Sequence, residues 1–260
     1  MTFRPKSSQL FVLWSIIERD LRILVKSPWI LIQRAVFFLI QLFVFAYLVN
    51  KLISVSLGFN YFNFYSVGAV VSTITSIAFI IGADLFEEEE LGMLDYLLSL
   101  PFSHTLFVIG RSLGGALRAL IYTAPMLLLV SIIDGYFSPV GILESYAVMF
   151  VLATGIAGLS ITVAMNIRNE NRFDVVIATA ELVTVRVSAA LYPIIYMPKA
   201  LQPIATVSPV SSTSNILRAI ILGVPSGGPA DLILLLAFVA IFFGLGSAFL
   251  FRNLEGGRFE

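Results

Sequence analysis

Cysteine is absent from this 260-residue chain, and histidine occurs once, at position 104. The first absence removes disulfides, thiolate nucleophiles and cysteine-built metal centres, and leaves the redox compartment open. The second leaves His104 without a second His or Cys to share a transition metal. Charge is scarce as well: Asp, Glu, Lys and Arg make up 12% of the residues, and sixteen basic side chains balance sixteen acidic ones. No global field therefore points to nucleic acid or to an acidic substrate as partner. No G-x-x-x-x-G-K-[ST] phosphate loop occurs, so any nucleotide chemistry belongs to another chain. No cleavable leader is evident, because Arg4, Lys6, Arg19, Arg22 and Lys26 are spread too widely before the first apolar run for a short n-region.

What is abundant is apolar. Hydrophobic residues make up 58% of the chain, 22 of them phenylalanine, and the mean hydropathy is +0.96. This is the composition of a membrane protein. A helix crosses the hydrocarbon core with about 20 apolar residues. No charge falls between Lys51 and Asp84, between Glu144 and Arg168, or between Asp231 and Arg252. The runs lack the alternation of barrel strands. The expected fold is all-α, with six spans at 32–52, 62–83, 113–133, 145–165, 175–195 and 232–251. Before them, residues 1–28 carry Leu10, Leu13, Trp14, Ile17, Leu21 and Leu24 at helical spacing, with Glu18, Arg19, Asp20 and Arg22 mostly on other faces. That pattern predicts an amphipathic helix lying on the membrane surface and halted by Pro28.

Basic residues near the span ends set orientation. With the N-terminus inside, Arg4, Lys6, Arg19, Arg22, Lys26, Arg34, Arg111, Arg168, Arg172, Arg252 and Arg258 are cytoplasmic, against Lys51, Lys199 and Arg218 outside. Both termini are thus expected in the cytoplasm of a cell with this protein in its membrane. The segment 84–103 between spans two and three is then cytoplasmic, and the loop 196–231 external. Five prolines interrupt that loop, yet it contains the apolar "SNILRAIILGV". Short helices dipping into the outer leaflet and an ordinary solvated loop both fit it.

Few residues carry candidate chemistry. "GRSLG" at 110–114 matches the G-x-S-x-G elbow, with Ser112 as nucleophile, but the elbow needs a strand before it and a histidine after it, and His104 comes first. The same residues, Gly110 and Gly114, form a G-x-x-x-G pattern that suits close helix packing, the reading preferred here. Glutamates 87–90 point about 100° apart along a helix and do not converge on a metal. No metal site is expected. Arg118, Glu181 and Arg186 fall inside spans, where charge is costly. Arg118 and Glu181 lie at comparable depth, so they either pair or line a polar cavity, or else Arg118 snorkels and Glu181 sits near the headgroups.

Within 84–103, "FEEEELGMLDYLLSLP" is amphipathic: Phe86, Leu91, Leu94 and Leu98 share a face, Glu87, Glu88, Glu89, Glu90 and Asp95 lie largely on others, and Pro101 ends the helix. Acids at a helix start suit its dipole, so solvation alone also accounts for them. The string "EEEELGMLDYLLSLPFSHTLFVIGRSLGGALRALIY" resembles the signature region of type-2 ABC exporter permeases, through Gly92, Leu94, Asp95, Leu97, Leu98, Ser99 and Pro101. Met93 stands where that pattern carries threonine. The resemblance implies a permease subunit that works with a second permease chain, identical or related, in the lipid bilayer. It also implies two copies of a separate ATPase, which hold the ATP and magnesium. The helix after span two would be the coupling helix, with Glu87 to Glu90 and Asp95 meeting polar ATPase groups and Leu91, Leu94 and Leu98 filling its groove. Rival readings are a secondary transporter with Arg118, Glu181 and Arg186 as an ion relay, and an intramembrane enzyme using Ser112 or those same three charges.

Overall fold

The computed structural model describes residues 6–26, 28–51, 60–99, 104–135 and 138–255. Every element of regular structure among them is helical. Helix α1 spans Lys6–Lys26. Helix α2 starts at Pro28, whose fixed φ and missing N–H suit a first helical position. It runs over Pro28–Ile40, passes through a π-helical stretch at Gln41–Ala46 and continues to Lys51.

The centre of the molecule is α3, Tyr61–Glu90. The Asn60 side chain caps it by accepting from the Phe62 amide. Its apolar residues run all round rather than along one stripe, and a helix of that kind must be buried. A short α4, Met93–Ser99, follows, and then α5, His104–Ile133. Helix α6, Pro139–Asn166, opens with Ser138 accepting from Gly141 and proline at its first turn. Helix α6 packs on α3, α5 and the last helix. Small residues bring it close to α3: Ser160 Oγ donates to the Phe79 carbonyl at 2.6 Å and accepts from the Gly82 amide at 3.0 Å.

Helix α7 covers Glu170–Arg186 and is followed by a 3-10 turn at Ile194–Tyr196, α8 at Gln202–Val207, α9 at Pro209–Leu222 and α10 at Pro229–Glu255. By length and composition four helices among the described residues suffice to cross a membrane: Leu31–Lys51, Tyr61–Glu90, Thr105–Ile133 and Pro139–Asn166. Helix α10 adds an apolar stretch at Pro229–Phe242.

Several boundaries depart from expectation. The helix that contains the second expected span runs on past 83 to Glu90, because no helix break comes before Leu91 and Gly92. The helix expected over 175–195 stops at Arg186. Pro193 disfavours helix at the residue before it, and residues 188–191 instead fold against α3 and α9. There Ala189 donates its amide to Ser211 Oγ at 2.8 Å and Tyr61 donates its hydroxyl to the Leu191 carbonyl at 2.9 Å. In the 196–231 loop, α9 buries Val210, Ser211 to Ser214, Leu217 and Ile221 against α3, α6 and α10. Gly223, at φ +64°, ends it in a conformation that glycine adopts without strain.

Candidate functional site

The glutamates at 87–90 form the last turn of α3, not the start of a helix. This corrects the dipole reading, since acids at a helix C-terminus face a partial negative charge. The helix ends there because Leu91 and Gly92 turn their amides back to the Glu87 and Glu89 carbonyls, with Gly92 at φ +69°.

Compensation comes from two other helices. Arg19 of α1 donates to both carboxylate oxygens of Glu88, at 2.8 and 3.1 Å, and Arg111 of α5 donates to the first of them at 3.1 Å. Arg111 also ion-pairs with Asp20 of α1, and both of these side chains are completely buried. Burial pushes the Asp20 carboxyl above its ordinary range while Arg111 and Arg19 pull it back. Asp20 was expected among the polar faces of α1; the structure corrects this, because Gly114 leaves room for it. A Cβ on Gly114 would stand 2.5 Å from Asp20 Oδ2, and one on Gly110 would stand 3.0 Å from Ile16. Glycine at both positions thus lets α1 lie directly on α5. Ser112 lies inside this packed helix, fully buried, with helix on both sides rather than a strand and a turn. The side chain of His104 lies outside the described residues.

One turn further from the corner, Arg118 donates to Asp84 Oδ2 at 2.5 Å. The partner weighed from sequence, Glu181, is half-buried on α7 and joins no ion pair among the described residues; Arg186 is exposed at the end of that helix. The correction has a simple cause. Helices α3 and α5 run antiparallel in contact, so Asp84 and Glu88 face Arg118 and Arg111. The spacings of four and seven residues put each pair on one helix face. That signal was present in the sequence, and reading it needed only the assumption that consecutive spans pack.

Outward from this network the corner is open. Glu87 and Glu90 are exposed, Leu91 is 73% exposed, and Met93 and Tyr96 are exposed on α4. Glu89 is half-buried. Leu94 points the other way. It is fully buried in a cluster with Leu85, Phe86, Phe107 and Phe173, the two phenylalanines Phe86 and Phe173 stacking at 4.3 Å. Its expected place in another protein's groove is therefore taken by this chain's own core. The side chains of Asp95 and Leu98, and residues Pro101 and Ser103, lie outside the described residues.

The opposite end holds two groups that sequence reading passed over as loop residues. Arg218 of α9 is buried, donates to the carbonyls of Ala189, Ala190 and Phe64, and lies 3.5 Å from the Phe64 ring centroid. Asp134, just past α5, accepts from Ser66 Oγ at 3.0 Å, and burial pushes its carboxyl up to about 6 against that hydrogen bond.

No curated protein matches the chain. A family model, ABC-2 type transporter, matches residues 12–222, from α1 to the end of α9. The chain therefore belongs to the ABC-2 type transporter family and is a permease, a multi-pass membrane protein of a type-2 ABC transporter.

Proposed function

We propose that this permease is the membrane half of an exporter driven by two copies of a separate ATPase subunit, and that the α3–α4 corner is where the ATPase takes hold. The observation that carries the reading is the corner itself. Leu91, Met93 and Tyr96 stand exposed beside Glu87 and Glu90, at the end of the most deeply embedded helix. Exposed large apolar side chains rimmed by acids suit a partner surface. In this reading the corner and both termini face the cytoplasm, α1 lies along the inner surface of the cell membrane, and a second permease chain completes the pathway.

Arg19, Arg111, Glu88 and Asp20 bind α1, α3 and α5 into one piece. A push on α4 is thereby delivered to three helices at once, which is what a two-state transport cycle biased by ATP needs. The ATP and magnesium sit on the partner, since this chain has no phosphate loop.

The test is co-purification of the full chain with its ATPase subunit. Charge reversal at Glu87 and Glu90 together should abolish the association or uncouple ATP hydrolysis from transport. Normal association and coupled activity in that double variant would sink the reading.

A further inference from the structure

Helices α2, α3 and the end of α7 border a two-part groove. Its narrow part, about 150 Å³, includes Arg34, Gln41, Ser72, Ser76 and Arg186 in its lining. Its wide part, about 610 Å³, includes Ile40, Val44, Phe45, Tyr61 and Tyr65. Phe37, Gln41, Arg186 and Leu191 line both, so the two parts are continuous.

Three observations concern the narrow part. Among the described residues two arginines line it, no acidic residue lines either part, and neither arginine joins an ion pair. Two like charges sharing a recess repel each other, and an anion between them, within reach of the Ser72, Thr73 and Ser76 positions that also line it, removes the conflict. Ser72 Oγ is buried and has no hydrogen-bond partner among the described residues. Its neighbours Thr73 and Thr75, by contrast, return their hydroxyls to the Ala69 and Val71 carbonyls at 2.8 Å. Finally, Gln41 opens the π-helical stretch Gln41–Ala46, a distortion of the kind that recurs at functional sites. It stands at the junction of the two parts, its amide on the Tyr65 hydroxyl at 2.9 Å.

The wide part has the opposite character. Phe37, Val44 and Phe45 are exposed along it, so the groove opens sideways on the apolar face of α2. A molecule dissolved in the membrane would enter from there.

We propose that this groove binds an amphiphile with an anionic oxygen headgroup, phosphate or carboxylate, the head lying between Arg34 and Arg186 and the tail along Val44, Phe45 and Tyr65. Guanidinium forks match such oxyanions in shape as well as charge. The proposal rests on the reading of the chain as a transport subunit and names the class of its cargo.

The experiment uses the full chain in phosphatidylcholine nanodiscs, without any ATPase, titrated with a short-chain phosphatidic acid. The expected result is saturable binding, weakened about tenfold by Arg34→Gln or Arg186→Gln, the loss of one charge-assisted hydrogen bond. Arg34→Lys, which keeps the charge but loses the fork, should bind between wild type and Arg34→Gln, and its thermal unfolding also reports that the fold is intact. Four results would overturn the proposal: short-chain phosphatidylcholine binding as tightly, no change in either glutamine variant, inorganic phosphate competing as well as the lipid, or loss of binding whenever two copies of the chain associate. The last would make the groove an interface between copies. Failure of ATPase co-purification would sink the transporter reading while leaving this titration unaffected, so the two failures are distinguishable.

Discussion

Helices α2 and α3 have the same mean hydropathy, 1.9 over their most apolar stretches, yet 78% of that stretch is buried in α3 and 17% in α2. Equal apolarity thus goes with opposite positions in the bundle. The difference lies in small residues. Helix α3 places glycine wherever another backbone comes close: a Cβ on Gly68 would stand 1.7 Å from the Ala190 carbonyl oxygen, and one on Gly82 would stand 2.6 Å from that of Ser160. Helix α2 has no glycine and lines its outer face with Val36, Phe37, Ile40, Val44 and Phe45, all exposed. In hydrocarbon, where apolar surface gains little by leaving lipid, close approach of backbones decides which helix becomes central.

Breaking that contrast at α3 should have the largest effect. Gly68→Val or Gly82→Val drives a side chain into backbone, beyond the about 1–3 kcal/mol of ordinary overpacking, and should remove folded protein from a size-exclusion profile in detergent. Next comes Asp20→Asn, which strips the buried Arg111 of its fully buried partner. It should cost about 3 kcal/mol, read as a lowered unfolding midpoint. Arg22→Gln, which disrupts only the exposed pair with Glu18, should shift that midpoint hardly at all.

An effect between those of Asp20→Asn and Arg22→Gln is expected at Asp134. Its carboxyl is raised from 3.8 to about 6 by burial, so the folded protein binds a proton there more tightly than the unfolded chain does. The resulting stabilisation is fully present below about pH 4 and lost as pH rises through about 6. Asp134→Asn should flatten the wild-type decline in thermal stability across that window; an unchanged slope would assign it to other groups. The smallest change belongs to α2. Phe37→Ala removes a side chain that is 62% exposed and should leave the unfolding midpoint of the single chain within error. A large shift would mean that the α2 face is covered within the protein rather than by lipid, cargo or a second copy.

How much of the corner was legible varies by residue. Gly110 and Gly114 announce a packed face through their spacing, but which helix lies on them, α1, is decided by the fit of Ile16 and Asp20. Arg118 announces a buried charge, while Asp84 and Glu181 are both candidate partners until α3, not α7, is seen alongside. The acidic run reads as a helix start only if a break is assumed near 83. Nothing in Gly82, Ala83 or Asp84 forces one, and the helix keeps its hydrogen bonds until Gly92. Arg218 counted as an external loop charge, yet it satisfies the carbonyls exposed where α7 stops early.

The sequence by itself determined the solvent and the helical class. A chain this apolar must lie in lipid, and there its backbone satisfies itself in helices whose ends follow from proline, glycine and capping residues. Tertiary structure alone decided which helix is central, which charges neutralise one another, and which cations are left facing a groove. Those outcomes depend on pair distances between residues far apart in the chain, and a pattern repeating every 3.6 residues specifies a face but not the neighbour that covers it.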